Sequence, residues 1–342
     1  MGEGHDKKFL GHGKARAGAP IRLPRRPTSG RMDAVTQSTP VSQSTPVTQS
    51  GVAVVGSINV DVIARVDRHP VPGETILGSD LVEHAGGKGL NQAVSAARRA
   101  STHLVGFVGD DASGSAALDY LAARGVDTGH VGRGALPTGR AFITVAADGE
   151  NSIVVIPSAN GEVTPAVVRA ALDDIQPGVV VAQCEIPPAS VEAAAGWARD
   201  HRARFVLNPS PITSIPGAVL GVCDPLVVNE GEAVAILQLV GSAPENTARD
   251  ARPTVADLAR ALLPHVRSVV VTAGSAGAVA ATLGEVTTLP AERVDVVDTT
   301  GAGDEFAGAL AAALAMGSTL VDAVGVGQAA AALIVATPRD RR

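Results

Sequence analysis

Val52-Ala-Val-Val-Gly-Ser-Ile58 is a short β-branched run ending at a glycine, preceded by fifty residues of quite different composition. Its apolar residues are consecutive rather than alternating, which reads as a parallel strand buried on both faces. Outward from it, helical patterns at Asn91–Ala100, Ser113–Arg124, Thr164–Leu172 and Pro188–His201 alternate with strand-like runs at His103–Val108, Val179–Gln183, Phe205–Asn208, Leu226–Asn229 and Ser268–Thr272. The alternation predicts an α/β fold: a doubly wound, mostly parallel sheet with helices on both faces. Two stretches break the pattern, Val62–His84 and Gly139–Ala159, where β-rich segments flank Pro72-Gly73 and Asp148-Gly149 turns. In the second, Ala141–Ala146 and Ser152–Pro157 read as a hairpin. A small sheet projecting over the strand ends from these two insertions would act as a lid.

Residues 1–50 contain the near-repeat Val35-Thr-Gln-Ser-Thr-Pro, Val41-Ser-Gln-Ser-Thr-Pro, Val47-Thr-Gln-Ser. Such tracts bury too little apolar surface to offset their ordering entropy, so a disordered low-complexity tail is expected, with residues 51–342 forming the α/β domain. The tail carries eight Lys/Arg against three acids, +5 within a whole-chain charge of −6, which leaves −11 for the remainder. A basic arm for nucleic acid or membrane is one reading of the tail, and a solvated extension is the other. Met32, just ahead of the repeat, is a candidate start site.

Hydrophobic residues at 45% suffice for a core, while aromatics at 2% leave Ala, Val, Leu and Ile to build it and supply no stacking platform for single-stranded nucleic acid. Cys184 and Cys223 lack metal or redox spacing. No apolar run reaches the roughly 18 residues needed to span a bilayer, and the N-terminus makes a poor signal peptide. A cytoplasmic protein without nucleic-acid or membrane partners is the expectation.

Three glycine-rich segments carry candidate chemistry. In Asp298-Thr-Thr-Gly-Ala-Gly-Asp304-Glu-Phe-Ala-Gly308, a β-rich run (Glu292–Val297) leads through a turn into a helix from about Glu305 to Met316. A helix N-terminus there offers unpaired N–H groups and a positive dipole end to a phosphate, with Gly301 and Gly303 allowing close backbone approach. Asp304 at the same turn could take a proton from an attacking hydroxyl. On these residues alone, an ordinary N-capped helix fits equally well. Glu83-His-Ala-Gly86-Gly87-Lys88-Gly89-Leu-Asn91 opens another helix, on which Lys88 and Asn91 present donors about one turn apart. Its spacing is not that of a Walker loop, and a tight turn with a solvated Lys is the alternative. Gly56-Ser-Ile-Asn59-Val-Asp61 follows the first strand, at the end where ligands bind in open α/β sheets. There Asn59 and Asp61 share one side of an extended chain, although an Asx turn would look the same.

Shorter signals follow other strands. Asn229-Glu230-Gly231-Glu232 brings carboxylates suited to a hydrated Mg²⁺. Thr272-Ala-Gly274-Ser-Ala-Gly277 suits a nucleotide near its backbone, and Glu185 is a further carboxylate at a strand end.

In this order, the segments resemble the ribokinase family of PfkB-type carbohydrate kinases, from Val52 to about Thr337. The paired signatures Gly86-Gly-Lys-Gly-Leu-Asn91 and Asp298-Thr-Thr-Gly-Ala-Gly-Asp304 carry the likeness. The resemblance implies an ATP-dependent sugar kinase with a β lid that often forms a dimer contact. It implies Asp304 as catalytic base and Gly301, Ala302 and Gly303 as the anion hole. Asn59, Asp61, Gly87, Lys88, Asn91 and Glu185 then match sugar-contacting positions. Asn229 and Glu232 match a motif linked to Mg²⁺ and phosphate, and Thr272, Gly274 and Gly277 match the nucleotide site. Asp298 and Thr300 match part of a site for an activating K⁺. Within that family, Gly56-Ser-Ile-Asn-Val-Asp61, Pro72-Gly-Glu-Thr75, Gly86-Gly-Lys-Gly-Leu-Asn-Gln-Ala93 and Leu207-Asn-Pro-Ser-Pro211 resemble the ribose kinases more than the fructose or adenosine kinases, and that resemblance implies D-ribose, phosphorylated on its 5-hydroxyl, as substrate. The chain ends at Ala336-Thr-Pro-Arg-Asp-Arg-Arg342, where relatives continue through a Gly-Ala-rich loop and a last helix, so a truncated C-terminus is expected. Two other readings remain: a kinase for another sugar or a nucleoside, and a truncated, non-catalytic binder of sugar or nucleotide.

Overall fold

The structure is a computed structural model that describes residues 51–212, 215–242 and 253–337. The Ser/Thr/Gln/Pro tail and the final residues 338–342 lie outside the described residues.

The first strand, β1 (Val52–Val55), shows how the sheet is built. Val52 and Val54 pack into one apolar layer and Ala53 and Val55 into the other, and all four are fully buried. After β1 the chain leaves the sheet. It forms β2 (Asn59–Val66) and β3 (Gly78–Gly86), returns through α1 (Lys88–Ala97) to β4 (Thr102–Gly109), and continues through α2 (Ala112–Ala122) to the short β5 (Val126–Asp127) and β6 (Val131–Gly134). The hairpin β7 (Gly139–Val145) and β8 (Asn151–Ile156) follows, then α3 (Pro165–Ile175), β9 (Val179–Gln183), α4 (Pro188–His201) and β10 (Arg204–Asn208). The remaining elements are α5 (Gly217–Leu220), β11 (Cys223–Asn229), α6 (Glu230–Leu239), α7 (Val255–Leu262), β12 (Ser268–Thr272), β13 (Ala278–Thr282), β14 (Glu285–Leu289), α8 (Ala302–Ala315) and α9 (Leu320–Val335).

The main sheet runs β14-β13-β12-β11-β10-β9-β1-β4-β5, with β6 also on β4, and is parallel except for the antiparallel pairs β12–β13 and β13–β14. Helices α1, α2, α8 and α9 cover one face, and α3, α4, α6 and α7 cover the other. The expected doubly wound architecture is therefore present. Four strands form a separate sheet in the order β3-β2-β7-β8, and both insertions read from the sequence supply it. Its inward face carries Ile63, Ala141 and Ile143 as a small apolar cluster. Its outer face leaves Leu81, Phe142, Val154 and Ile156 exposed.

Two local expectations fail. Glu292–Val297 forms no strand: the Val297 and Asp298 amides donate to the Val335 carbonyl (2.8 and 3.2 Å), so the segment leans on the end of α9 instead of a sheet edge. Helix α8 starts at Ala302 rather than Glu305, which places Asp304 inside its first turn.

Helix starts divide by chemistry. Asp111, Thr164, Thr254 and Thr319 cap α2, α3, α7 and α9 with side-chain oxygens, as short polar residues do at N-caps. Helices α1 and α8 instead begin at Gly87 (φ 93°) and Gly301 (φ 80°), with no side-chain cap. That left-handed backbone favours glycine. These two helices pack closely at Gly308, where an added Cβ would lie 2.6 Å from the Ser95 Cβ. The close approach sets the geometry of the cleft between their N-termini.

Among the described residues no helix is long and apolar enough to cross a membrane. The Cys223 thiol is buried and donates to the Val219 carbonyl at 3.4 Å, and burial pushes its pKa up.

Candidate active site

A cleft of about 780 Å³ lies beneath the four-stranded sheet, at the carboxyl ends of the central strands and the N-termini of α1 and α8. The six residues read as sugar-contacting line it together with the expected base: Asn59 and Asp61 on β2, Gly87, Lys88 and Asn91 at the start of α1, Glu185 after β9, and Asp304 on α8. The β2 pair shares a side because strand side chains alternate with period two. At Gly87 an added Cβ would sit 2.8 Å from the Asn59 amide nitrogen, so glycine is needed for contact as well as for φ.

Both oxygens of Asp304 are held from α1. Asn91 Nδ2 donates to Oδ2 at 3.1 Å and Gln92 Nε2 donates to Oδ1 at 2.9 Å. Gln92 is fully buried; its Nε2 also donates to Asn208 Oδ1 (3.1 Å), while its Oε1 accepts from Gln183 Nε2 (2.7 Å). A chain of amides from β9 and β10 thus fixes the carboxylate. Next along α8, Glu305 pairs with Arg98 at 2.6 Å, and Ser95 Oγ donates to the Glu305 carbonyl at 2.7 Å, locking α8 to α1.

Glu185 Oε2 accepts from Ser57 Oγ (2.6 Å), the Lys88 amide (3.2 Å) and, at 3.5 Å, Asn59 Nδ2. Asn59 is oriented further by Asn160, whose Nδ2 donates to Asn59 Oδ1 at 2.7 Å while its Oδ1 accepts the Ile58 amide at 2.8 Å. Burial raises the pKa of Glu185 above its ordinary 4.5, against the opposing pull of Ser57 and Lys88. Burial draws the Lys88 ammonium down, but the charges of Asp304, Glu185, Glu232 and Asp61 outweigh it and hold its pKa above 10.5. Lys88 is therefore a fixed cation amid carboxylates, with donors and acceptors interleaved around the cleft.

A second cavity of about 820 Å³ opens on the other side of the α8 turn. Asn229, Thr272, Gly274, Gly277, Ala302 and Gly303 line it, together with the apolar Val294, Val296, Phe306 and Val335. Gly301 and Asp304 face the first cleft, Ala302 and Gly303 face the second, and Thr299 borders both. At Gly277 (φ 101°) a Cβ would collide with the Leu289 carbonyl oxygen, so the chain can turn there only as glycine.

The expected metal residues stand differently. Asn229 and Glu232 form a reciprocal capping box on α6: Asn229 Oδ1 accepts the Glu232 amide (2.8 Å) and Glu232 Oε2 accepts the Asn229 amide (2.9 Å). Asn229 borders the second cavity, whereas Glu232 lines neither. Asp298 Oδ1 accepts the Thr300 amide at 2.8 Å; Thr300 lines the first cleft and Asp298 lines neither.

Sequence reasoning missed Ser57, Gln92, Asn160, Gln183 and Asn208. Gln92 and Asn208 sat unweighted beside quoted residues, while Asn160-Gly161 reads as a turn pair, which hides a buried amide. Only the fold brings the five together.

The chain matches the pfkB family carbohydrate kinase pattern over residues 49–341. It is 36% identical over 285 residues to a ribokinase of Haemophilus influenzae, covering 82% of this chain and 91% of that one. It is 33% identical over 265 residues to a deoxyribokinase of Salmonella typhi (76% and 84% covered). Among solved structures, an Arabidopsis thaliana ribokinase complexed with ribose and ATP superposes with a TM-score of 0.72 at 30% identity, covering 84% of this chain and 93% of that one. The chain belongs to the pfkB family of carbohydrate kinases and is a sugar kinase of that family.

Proposed function

We propose that this chain transfers the γ-phosphoryl group of ATP to the 5-hydroxyl of D-ribose, with Asp304 as general base. One observation carries the reading: a carboxylate anchored by two amide donors sits in the first turn of α8, between a cleft lined by polar and charged side chains and a second cavity. The ribokinases among its relatives support the sugar assignment.

Ribose would lie in the cleft, its hydroxyls donating to Asp61 and Glu185 and accepting from Lys88 and Asn91. ATP would occupy the second cavity, its ring against Val296 and Val335 and its phosphates over Thr272, Gly274 and the start of α8. As the 5-oxygen attacks, Asp304 takes its proton, while the Gly301, Ala302 and Gly303 backbone stabilises the charge on the transferred group. Otherwise catalysis rests on positioning. Asn229 and Glu232 offer hard oxygen donors suited to holding Mg²⁺ through water, and the ion would supply charge neutralisation on the phosphates. Asp298 and Thr300 offer oxygens of the kind K⁺ prefers.

The four-stranded sheet, in the segments about 62–84 and 139–159, serves as a lid that excludes water. Its exposed apolar outer face (Leu81, Phe142, Val154, Ile156) is assigned as a homodimer contact. A particle that sediments as a monomer at micromolar concentration would remove that assignment. The reaction belongs to the cytoplasm, where ATP is supplied.

ADP release with Mg-ATP and a panel of D-ribose, 2-deoxyribose, fructose, adenosine and no sugar, with and without K⁺, tests the reading. Ribose-dependent turnover is expected. Preference for 2-deoxyribose, which the deoxyribokinase relative keeps in view, would move the substrate; silence across the panel would refute the activity.

A further inference from the structure

Away from the cleft, at the amino-terminal edge of the main sheet, two histidines and an aspartate converge. His103 is the second residue of β4 and pairs in register with Asp127 of β5. Three residues on, His130 comes back over them ahead of β6. One potential ligand atom from each residue lies within 4.8 Å of the others.

The polar atoms here do not satisfy one another. The Nδ1 atoms of His103 and His130 are both shielded from solvent and have no hydrogen-bond partner among the described residues. The His103 Nδ1 to Asp127 Oδ2 separation is 3.5 Å, an ion-pair distance if the ring is protonated but not a hydrogen bond. Buried ring nitrogens left this way are unfavourable and uncommon, and each such group calls for an explanation. Edge-to-face packing of the two rings, with centroids 6.1 Å apart, accounts for their proximity but not for the idle nitrogens.

The surroundings are arranged as they are around metal-bound imidazoles. His130 Nε2 lies 3.0 Å from Asp174 Oδ2 on α3, an outer carboxylate that fixes the ring and leaves Nδ1 as the available lone pair. Asp127 is held as well: its Oδ1 accepts the Gly129 amide at 2.8 Å, which directs Oδ2 toward His103. Two imidazoles and one carboxylate form a borderline-soft donor set that favours Zn²⁺-like ions over Mg²⁺ or Ca²⁺.

We propose that His103, Asp127 and His130 bind one divalent transition-metal ion of the zinc type, water completing the fourth position. The site lies at the opposite end of the strands from Asp304, so the ion would tie the β4–β5 edge to α3 and take no part in phosphoryl transfer.

The test uses the full chain, stripped with chelator and held in excess Mg²⁺ to occupy oxygen-rich sites. Zn²⁺ is followed by calorimetry, and Co²⁺ by the visible bands of a tetrahedral complex. One equivalent should bind and raise Tm. His130→Gln and Asp127→Asn should each weaken binding about 100-fold or more, and Asp174→Asn about 10–100-fold, as outer carboxylates typically do. Both ligand variants should keep the metal-free Tm and the turnover of the parent, which separates lost binding from misfolding. Absence of binding by the parent would overturn the site. So would tight binding that survives His130→Gln and Asp127→Asn, which would place the ion on other residues.

Discussion

Replacing Gln92 by Leu removes the donor that holds Asp304 Oδ1 at 2.9 Å while keeping an apolar side chain of similar size that is unbranched at Cβ. A hydrogen bond to a charged acceptor is worth about 1.5–3 kcal/mol. If that energy is used to hold the base in line, kcat should fall roughly 10–100-fold. Gln92 does not line the cleft, so the ribose KM should stay close to the parent value. The substitution also strands Gln183 Nε2 and Asn208 Oδ1, at about 1–3 kcal/mol for each unsatisfied buried group. A drop of several degrees in Tm should therefore accompany the kinetic loss. Steady-state kinetics at saturating ATP, paired with thermal melts, separate the two effects. A variant that melts early yet turns over within about twofold of the parent would show that Gln92 only packs. A raised KM at unchanged kcat would show that it positions sugar, and either result refutes its role in orienting Asp304.

Glu185, Gly303 and Gly301 yield three more predictions. Because burial raises the Glu185 pKa above 4.5, the folded chain binds more protons than the unfolded one between 4.5 and the raised value, and stability falls as pH climbs through that window. Glu185→Gln should accordingly melt above the parent at pH 7 and lose the advantage below pH 4.5, while its ribose KM rises roughly 10–100-fold; thermal melts across pH, beside sugar titrations, check both, and a lower Tm at pH 7 would contradict the assignment. Gly303 is helical and an added Cβ meets nothing within 4 Å, so Gly303→Ala should hold or raise Tm, yet lose at least about tenfold in kcat/KM for ATP if phosphate comes against that backbone. Gly301→Ala, at φ 80°, should lower Tm as well, by roughly 1–2 kcal/mol of backbone strain.

The alternation from Val52 onward was enough to read the parallel sheet, because each βα unit writes its own local pattern. Val179–Gln183, Pro188–His201 and Ser268–Thr272 fall where they were expected to the residue. The antiparallel pair β13 and β14 escaped notice, although Leu283-Gly284 between them is a two-residue hairpin turn. Glu292–Val297 misled because its valines suggest a strand, whereas in the fold Val296 and Val297 are exposed and the backbone bonds to α9. At the site, residues on the glycine-rich turns were legible because left-handed backbone and charge mark them. Gln92, Gln183 and Asn208 come from three elements and meet only once those elements pack, and no spacing along the chain signals such a meeting. The paired roles of Asn229 and Glu232 in capping α6 were likewise invisible beside their acidic composition, though S/T/D/N followed three residues later by Glu is itself a helix-start signature.

Whether Asp304 is the base is decided most directly by single-turnover phosphoryl transfer from Mg-ATP to ribose in Asp304→Asn, with ribose affinity measured on the same protein by calorimetry. The amide keeps the size of the side chain and one acceptor for Gln92 but cannot take the proton. Transfer slowed by about 10²–10⁴-fold, with ribose binding nearly unchanged, is the predicted result. Transfer at close to the parent rate would contradict it and remove Asp304 from the chemistry.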